Sequence, residues 1–238
     1  EVHPKPRVVI VSVGDELLEP GKPARSGQVF DANSHALASG VADAGAVPYR
    51  VGAAPDSYGE LRELIEDQLV RADLVITTGG LSQGEGDTVS DVIGPLGSVR
   101  FDDVAMSPGR RFGVGTLGEV GAAESLTPVL CLPGDPVAVQ VAYEAFVRPA
   151  LLHMAGHAAL YRPTVHARAA TEWTSEVGVR EFVPARVIGS PGEGYRWEPV
   201  GRPHALTGLA RANALAVVPE GTARLPAGAE VPCLLLEA

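Results

Sequence analysis

The stretch Val8-Val-Ile-Val-Ser-Val13, followed by Gly14, decides the fold class of this chain. A continuous run of β-branched residues is typical of a strand that is buried on both faces of a parallel sheet. A second run of this kind, Ala-Asp-Leu-Val-Ile-Thr-Thr at residues 72–78, leads directly into Gly79-Gly80. Two such strands, each ending at a glycine turn, predict an α/β sheet with mostly parallel strands.

Helical patterns lie between and beyond these two runs. Residues 31–44 predict a helix, with Asn33 as its N-cap and Gly45 just after its end. A second helix begins at Ser57-Tyr-Gly-Glu60, which has the spacing of a capping box. The other predicted elements of this part are a strand at 47–51, a helix at 88–96, strands at 112–117 and 129–132, and a buried helix at 135–154. This alternation predicts a mostly parallel, three-layer α/β domain with helices on both faces of the sheet.

After about residue 156 the sequence changes character. Short strand-like runs at 165–173, 181–188, 195–200, 214–218 and 231–235 are separated by turn signals such as Ser190-Pro-Gly-Glu-Gly194. We therefore predict two domains, an α/β domain over residues 1–157 and a small all-β domain over residues 158–238.

Composition limits the classes of function. The chain of 238 residues is 45% hydrophobic, so it can bury a sizeable core, and its net charge of −10 argues against non-specific binding of nucleic acid. Cys131 and Cys233 show neither CxxC nor zinc-site spacing and are typical of buried, reduced thiols. The apolar run at 8–13 is too short to cross a membrane. We expect a soluble, cytoplasmic protein with no nucleic-acid or membrane partner.

Four polar or glycine-rich loops follow predicted strands. Because the ligands of a parallel α/β sheet collect at the carboxyl ends of its strands, these loops form the candidate site. The loops are Gly14-Asp-Glu-Leu17, Gly79-Gly-Leu-Ser-Gln-Gly-Glu-Gly-Asp87, Ser107-Pro-Gly-Arg-Arg111 and Pro133-Gly-Asp-Pro136. The second loop runs into a predicted helix start and is suited to cupping an anion, although glycine serves any tight connection equally well. Its spacing is neither that of a nucleotide P-loop nor that of a dinucleotide-binding fingerprint.

Carboxylates recur in the predicted strand-to-helix loops. They are Asp15, Glu16, Asp56, Asp87 and Asp135. A single one of them is commonly a solvated side chain or a helix cap, but the set favours convergence around Mg²⁺ and a phosphate, because hard cations take carboxylate and phosphate oxygens. The neighbouring Arg110-Arg111 pair is either an exposed pair or the counter-charge for an oxyanion.

The same loops resemble those of the molybdopterin molybdenumtransferases, the MoeA/gephyrin E-domain family. The matching motifs occur in the family's order over nearly the whole chain, at Ser12-Val-Gly-Asp-Glu-Leu17 with Pro20-Gly21, Gly27-Gln-Val-Phe-Asp31 with Asn33, Gly79 to Asp87, Pro108-Gly109, Leu132-Pro-Gly-Asp-Pro-Val137, and Ala212-Asn-Ala-Leu215 with Pro219-Glu-Gly221. The resemblance implies insertion of molybdenum from molybdate into adenylylated molybdopterin, with Mg²⁺ assistance and release of AMP. It also implies that the chain corresponds to the third and fourth of the family's four domains. The homodimers of the family form through N-terminal domains that this chain does not match.

The resemblance further implies roles for individual residues. Asp87, Glu16 and Asp56 are the expected catalytic residues, and Glu16 and Asp87 are the expected Mg²⁺ ligands. The expected substrate-binding residues are Gly79, Gly80, Ser82, Gly84, Ser107, Arg110, Arg111, Pro133, Gly134, Asp135, Pro136, Arg180 and Thr207.

Three stretches depart from the family's pattern. Ser107-Pro-Gly-Arg-Arg111 stands where the family usually has Lys-Pro-Gly-Lys-Pro, Asp135 stands in place of an asparagine, and Arg202-Pro-His-Ala-Leu-Thr207 has fewer hydroxyl groups. These departures suit a divergent paralogue, so two other functions stay open. One is molybdopterin adenylyltransferase, whose family shares the α/β domain and lacks the β domain. The other is a catalytically weak protein that acts as a pterin-binding or scaffold module.

Overall fold

The computed structural model describes residues 3–81, 87–118, 126–201 and 205–236. Within these ranges the strands are β1 Arg7–Val13, β2 Leu17–Leu18, β3 Val29–Phe30, β4 Val47–Ala54, β5 Leu74–Thr78, β6 Gly97–Asp103, β7 Met106–Ser107, β8 Arg111–Leu117, β9 Thr127–Leu132, β10 Thr164–Ala169, β11 Trp173–Thr174, β12 Arg180–Ser190, β13 Gly194–Pro199, β14 Ala214–Val218, β15 Arg224–Leu225 and β16 Glu230–Leu235. The α-helices are α1 Asn33–Asp43, α2 Tyr58–Leu69, α3 Thr88–Ile93, α4 Pro136–Ala142, α5 Arg148–Met154 and α6 Leu206–Leu209. A 3₁₀ turn at Gly94–Leu96 follows α3, and a π-helical turn at Tyr143–Val147 joins α4 to α5. No described helix is long and apolar enough to cross a membrane.

The chain divides into two compact units. The first comprises Glu1–Asp103 and Arg111–Leu160, and the second comprises Val104–Arg110 and Tyr161–Ala238. This division differs from a single boundary after residue 157 in two respects. The boundary lies after Leu160, and the short segment 104–110 joins the second unit, in which β7 pairs with β12. Ser107 therefore belongs to the second unit, although its sequence position lies within the predicted α/β domain.

The sheet of the first unit has the strand order β4-β1-β5-β9-β8-β6. Strands β4, β1, β5 and β9 run parallel to one another, whereas β8 is antiparallel to β9 and β6 is antiparallel to β8. The central strands are the two apolar runs from which the sheet was predicted. Every residue of β5 is buried, and so is every residue of β1 except Arg7.

Helices cover both faces of this sheet. On one face, Val9, Val11 and Val13 of β1 share a core with buried residues of α2 and α3. Alternate residues of a strand point to opposite faces, so Val8, Ile10 and Ser12 point to the other face. That face is covered by α1, which contacts β1, α4 and α5. The predicted three layers are present.

Two helix starts differ from their sequence predictions. Asn33 was predicted as the N-cap of α1, but it is the first helical residue, and the Asp31 carboxylate accepts the backbone N–H of Ser34 at 3.0 Å. An acid two residues before the helix thus satisfies one of its free donors. Ser57 does precede α2, yet its side chain makes no capping hydrogen bond, so the capping-box spacing is present without the expected contact.

The second unit is built around a closed ring of five strands. Strand β12 pairs with β14 and β13, β10 pairs with β13 and β16, and β14 pairs with β16. Trp197 lies in its core at 1% exposure, and Trp173 packs edge-on against it with ring centroids 6.4 Å apart. The predicted fold class, a mostly parallel α/β domain followed by a small all-β domain, is confirmed.

Candidate functional site

The carboxyl ends of three parallel strands lie side by side at one edge of the first unit's sheet. Thr78, at the end of β5, pairs with Ser12 of β1 on one side and with Leu132 of β9 on the other. Three of the four predicted loops therefore begin at this edge, after β1, β5 and β9. The fourth loop is divided, because residues 107–110 belong to the second unit and Arg111 opens β8 of the first.

Two glycines after β5 form a tight turn against the end of β1. Gly79 and Gly80 have φ values of 82° and 64°, which side chains other than glycine rarely adopt. A Cβ would lie 2.4 Å from the Val13 carbonyl oxygen at Gly79, and 2.6 Å from Val89 Cγ2 at Gly80. A Cβ at Gly134 would lie 3.4 Å from the Gly79 Cα, so the loop after β9 abuts this turn. Packing alone accounts for Gly79 and Gly80, and it also brings the backbone of two loops together. We call Gly79, Gly80 and Gly134 the glycine cradle.

Three predicted carboxylates lie on exposed loops at the carboxyl ends of β1 and β4. Asp15 accepts the backbone N–H of Asp56 at 2.9 Å, which ties the loop after β1 to the loop after β4. The Glu16 carboxylate folds back over Gly14, where a Cβ would lie 2.6 Å from Glu16 Oε2. Asp15, Glu16 and Asp56 are all exposed to solvent.

Asp87 makes two contacts of its own. One carboxylate oxygen accepts the backbone N–H of Ser90 at 3.2 Å, so Asp87 is the N-cap of α3. The other lies 3.3 Å from Arg111 Nη2, and a second acid, Asp103, lies 3.8 Å from Nη1 of the same guanidinium. The predicted metal ligand is thus a helix cap that already has an arginine as its counter-ion.

Metal-ligating side chains do not cluster in threes among the described residues. Within residues 3–81, 87–118, 126–201 and 205–236, no group of three or more histidine, cysteine or carboxylate side chains lies close enough together to hold a metal ion. Asp135, another acid of the predicted set, accepts the backbone N–H of Ala138 at 2.8 Å and caps α4. Mg²⁺ binding by Glu16 and Asp87 stays a prediction.

The two predicted arginines of the second unit are also paired with acids. Arg110 forms an ion pair with Glu176. Arg180 bonds to Glu220 through Nε at 3.2 Å and Nη2 at 3.1 Å. The pKa of the Glu220 carboxyl is lowered by its own backbone N–H and by the hydrogen bonds from Arg180. Because these pairs are exposed, they contribute little to stability, but an approaching anion has to compete with a carboxylate for either arginine.

The other predicted residues are more scattered. Pro136 is the first residue of α4, Ser107 lies half-buried in β7, and Thr207 is exposed in α6. Ser82 and Gly84 lie outside the described residues.

A buried carboxylate behind the glycine cradle was not predicted as part of the site. Asp31 is 1% exposed and accepts hydrogen bonds from Ser12 Oγ at 2.9 Å, from the Ser34 backbone N–H at 3.0 Å, and from the Ser34 hydroxyl. Thr78 Oγ1 in turn donates to Ser12 Oγ at 3.3 Å. We call these four residues the Asp31 network. Its sequence signal was a polar residue near the end of each of two apolar strands, Ser12 and Thr78.

Asn33 connects this network to the glycine cradle. Its Nδ2 donates to the Gly134 carbonyl oxygen at 2.9 Å and makes a long contact of 3.4 Å with Thr78 Oγ1. The contact with Gly134 joins the start of α1 to the loop after β9. The sequence pattern around Asn33 predicts a helix cap and gives no sign of this contact.

Relatives with known names align with nearly all of this chain. The chain is 36% identical over 236 residues to molybdopterin molybdenumtransferase 2 of Mycobacterium tuberculosis, covering 97% of this chain and 56% of that protein. It is 35% identical over 242 residues to the molybdopterin molybdenumtransferase of a Nostoc species, covering 99% of this chain and 54% of that protein. The crystal structure of the molybdopterin biosynthesis MoeA protein from Pyrococcus horikosii superposes with a TM-score of 0.82 at 27% identity, over 98% of this chain and 55% of that one. The chain spans about half the length of the relatives it matches.

Two family models match consecutive parts of the chain. Residues 9–153 match the family described as "Probable molybdopterin binding domain". Residues 166–236 match the "MoeA C-terminal region (domain IV)". The first match covers the sheet and helices of the first unit, and the second covers strands β10 to β16 of the second unit. The chain therefore belongs to the molybdopterin-binding domain family and carries the MoeA C-terminal region after that domain.

Proposed function

We propose that this chain binds the phosphorylated pterin of molybdopterin at the glycine cradle and acts in molybdenum cofactor biosynthesis. The observation that carries the proposal is the match of residues 9–153 to a molybdopterin-binding family, together with the cradle at the carboxyl edge of that domain's sheet. Ligands of such sheets bind at this edge, and backbone loops that meet there are suited to holding phosphate oxygens.

The proposed reaction is the insertion of molybdate into adenylylated molybdopterin with release of AMP. In this reaction, the glycine cradle holds the phosphate of the pterin. Arg111 binds an oxyanion once that ligand displaces the Asp87 carboxylate from the guanidinium. We further propose that Glu16 and Asp87 are the ligands of Mg²⁺ and that Asp56 is a further catalytic group. We also propose a cytoplasmic homodimer that requires the N-terminal domains implied by the resemblance.

Binding and turnover test this proposal in order. Titration of the chain with molybdopterin in a calorimeter, with and without Mg²⁺, should give saturable binding that Arg111→Gln weakens several-fold, because a charge-assisted contact is lost. Arg224→Gln is the matched control, since Arg224 also pairs with an acid but lies in the second unit, where its side chain is 72% exposed. No binding by the unmodified chain would refute the proposal. Molybdate-dependent release of AMP from adenylylated molybdopterin then tests the reaction itself.

The second unit favours this reaction over molybdopterin adenylyltransferase activity. The adenylyltransferases share the α/β domain and lack the β domain, whereas this chain carries the MoeA C-terminal region at residues 166–236. The two activities separate in one assay. An adenylyltransferase consumes ATP and forms adenylylated molybdopterin, and a molybdenumtransferase consumes that product.

The ion pairs give a specific reason to keep the non-catalytic alternative. Arg110, Arg111 and Arg180, the three arginines predicted to bind substrate, are each paired with a carboxylate of their own unit. Such pairing reduces the positive charge available to two anionic substrates. Binding of molybdopterin without any molybdate-dependent release of AMP would favour a pterin-binding or scaffold module.

A further inference from the structure

We infer that Asn33 is a positioning residue of the candidate site, which holds the Gly134 carbonyl beside Gly79 and so sets the geometry of the glycine cradle. The part of this inference that concerns ligand binding rests on the proposed function. The part that concerns the loop stands on contacts within the first unit.

The Asn33 amide bonds to the backbone of an exposed loop residue, Gly134. Asn33 is 9% exposed and donates Nδ2–H to the Gly134 carbonyl at 2.9 Å. A buried donor therefore holds an exposed loop from behind, and the loop in turn touches Gly79, whose Cα would lie 3.4 Å from a Gly134 Cβ.

The donor is itself held rigidly. Asn33 is the first residue of α1. In the sequence it lies between Asp31 and Ser34, which both belong to the Asp31 network. Asp31 accepts the Ser34 N–H at 3.0 Å and the Ser12 hydroxyl at 2.9 Å, and both partners are fully buried. The backbone on both sides of Asn33 is thus anchored to the end of β1. A side chain carried on such a support holds its partner within a narrow range of positions.

The other end of the amide has no partner among the described protein groups. This atom, Asn33 Oδ1, is buried. Leaving a buried acceptor unsatisfied costs free energy, so such groups call for an explanation. The unsatisfied Oδ1 is explained if the amide is needed for its Nδ2–H group, which donates to Gly134 of the glycine cradle.

Asn213 of the second unit provides the contrast. Its Nδ2 donates to the Val187 carbonyl at 2.9 Å, and its Oδ1 accepts the Val187 N–H at 2.7 Å. Both ends of this amide bond to the backbone of β12 within the second unit, as expected of an asparagine with a purely structural role. Substitution by alanine removes the same amide group at either residue, from the candidate site in Asn33→Ala and from the second unit in Asn213→Ala.

The first experiment needs no ligand. In the chain labelled with ¹⁵N, Asn33→Ala should shift the backbone amide signals of Gly79 and Gly134 and speed their hydrogen exchange, whereas Asn213→Ala should leave both unchanged. The Gly79 amide is a suitable reporter because it donates to the Leu132 carbonyl at 3.2 Å, across the same junction of loops. Unchanged signals of Gly79 and Gly134 in Asn33→Ala would overturn the inference.

The second experiment measures molybdopterin affinity by calorimetry. We expect Asn33→Ala to bind about five- to tenfold more weakly than the unmodified chain, as for the loss of one hydrogen bond, and Asn213→Ala to bind normally. Altered loop signals with unchanged affinity would overturn the role in ligand binding. If the unmodified chain binds no molybdopterin, the proposed function fails, and the amide signals still decide whether Asn33 positions the loop.

A folding defect is separated from this role by a second variant. Asn33→Leu keeps the approximate volume and branching of the side chain, removes the Nδ2 donor and adds no charge near the buried Asp31. It should reproduce the loop shifts and the weaker binding of Asn33→Ala. Failure of both variants to fold, with Asn213→Ala folded, would assign Asn33 a purely structural role and overturn the inference.

Discussion

The Asp87 carboxylate makes two contacts, and two substitutions separate them. Asp87→Asn keeps an oxygen that accepts the Ser90 N–H and removes the charge that pairs with Arg111. Asp87→Ala removes both contacts. Because asparagine and aspartate are about equally good N-caps, the difference between the two variants isolates the contribution of the cap to the stability of α3.

The expected losses follow from the geometry. Loss of an N-cap costs about 0.5–2 kcal/mol of the free energy of unfolding. The ion pair is partly exposed, with 13% of the Asp87 and 28% of the Arg111 side chain accessible. Such pairs contribute about 0.2–1 kcal/mol. We therefore expect a loss of about 1–3 kcal/mol in Asp87→Ala and of about 0.2–1 kcal/mol in Asp87→Asn.

Two optical signals report the two units separately in a urea titration. Both tryptophans of the chain, Trp173 and Trp197, lie in strands of the second unit, so tryptophan emission follows its unfolding. Helices α1 to α5 lie in the first unit, so the helical circular dichroism band follows mainly that unit. The substitutions should move the circular dichroism transition and leave the emission transition unchanged.

Equal losses of stability in Asp87→Asn and Asp87→Ala would show that the cap contributes nothing and would contradict this prediction. A turnover assay tests separately whether the charge of Asp87 is needed for the reaction. If the carboxylate acts in the reaction, Asp87→Asn should be folded and yet fail to release AMP from adenylylated molybdopterin. Normal turnover in Asp87→Asn would remove this charge from the mechanism.

Other measurements test the burial and charge of particular groups. Asp31→Ala should lower the free energy of unfolding of the first unit by about 2–4 kcal/mol in urea, because buried donors lose a charged acceptor; a loss below about 1 kcal/mol would contradict this. The hydrogen bond from Arg7 lowers the pKa of the Asp73 carboxyl, so this pair stabilises the fold above the ordinary carboxyl pKa, and that contribution disappears as the pH falls through the lowered value. In Arg7→Gln, nuclear magnetic resonance titration should return the Asp73 pKa to its ordinary range, and an unchanged pKa would exclude Arg7 as the cause. Burial raises the thiol pKa of Cys131 and Cys233 to about 12, so both should react with a thiol reagent near about pH 8 only after unfolding; rapid labelling of the folded chain would contradict their burial.

The centre of the first unit was predictable because its strands have one environment along their whole length. Strands β1 and β5 have neighbours on both edges and helices on both faces, so every position favours the same apolar residues. The run of apolar residues in the sequence is then enough to predict that the whole strand is buried. Helix α2 was predictable for a different reason, because its apolar residues recur at helical spacing and Leu61 and Ile65 are buried on one face.

The edge of the sheet was not predictable in this way. Strand β6 has half-buried Val99 and Phe101 alternating with exposed Arg100 and Asp102, and it pairs with one neighbour, β8. Such a pattern also fits an exposed loop, and no strand was predicted there. The antiparallel pairing of β8 with β9 is set by the connections between the strands, which have no local signature.

The candidate site also has features that the sequence predicts and features that it does not. Its loops were predictable, because glycines and acids that follow apolar strands mark the carboxyl edge of a sheet. The partners of the side chains were not. Asn33 meets Gly134, and Arg111 meets Asp87, only after the chain has folded, and each contact gives the residue a role that its immediate neighbours in the sequence do not indicate.

These contacts bear on how an anionic ligand can be held. An anion that binds Arg111 has to compete with the Asp87 carboxylate, which is already 3.3 Å from the guanidinium and is fixed by its cap of α3. The net charge of −10 opposes an anion further, over a screening length of about 8–10 Å. Backbone N–H groups carry partial positive charge without a tethered carboxylate of this kind. The Gly79 N–H already donates to the Leu132 carbonyl at 3.2 Å, so the other amides of the loops are the ones that meet less competition than an arginine does. Anion affinity at this site should therefore depend more on the geometry of the loops than on the number of arginines, so substitution of a residue that only positions Gly134 should weaken anion binding measurably.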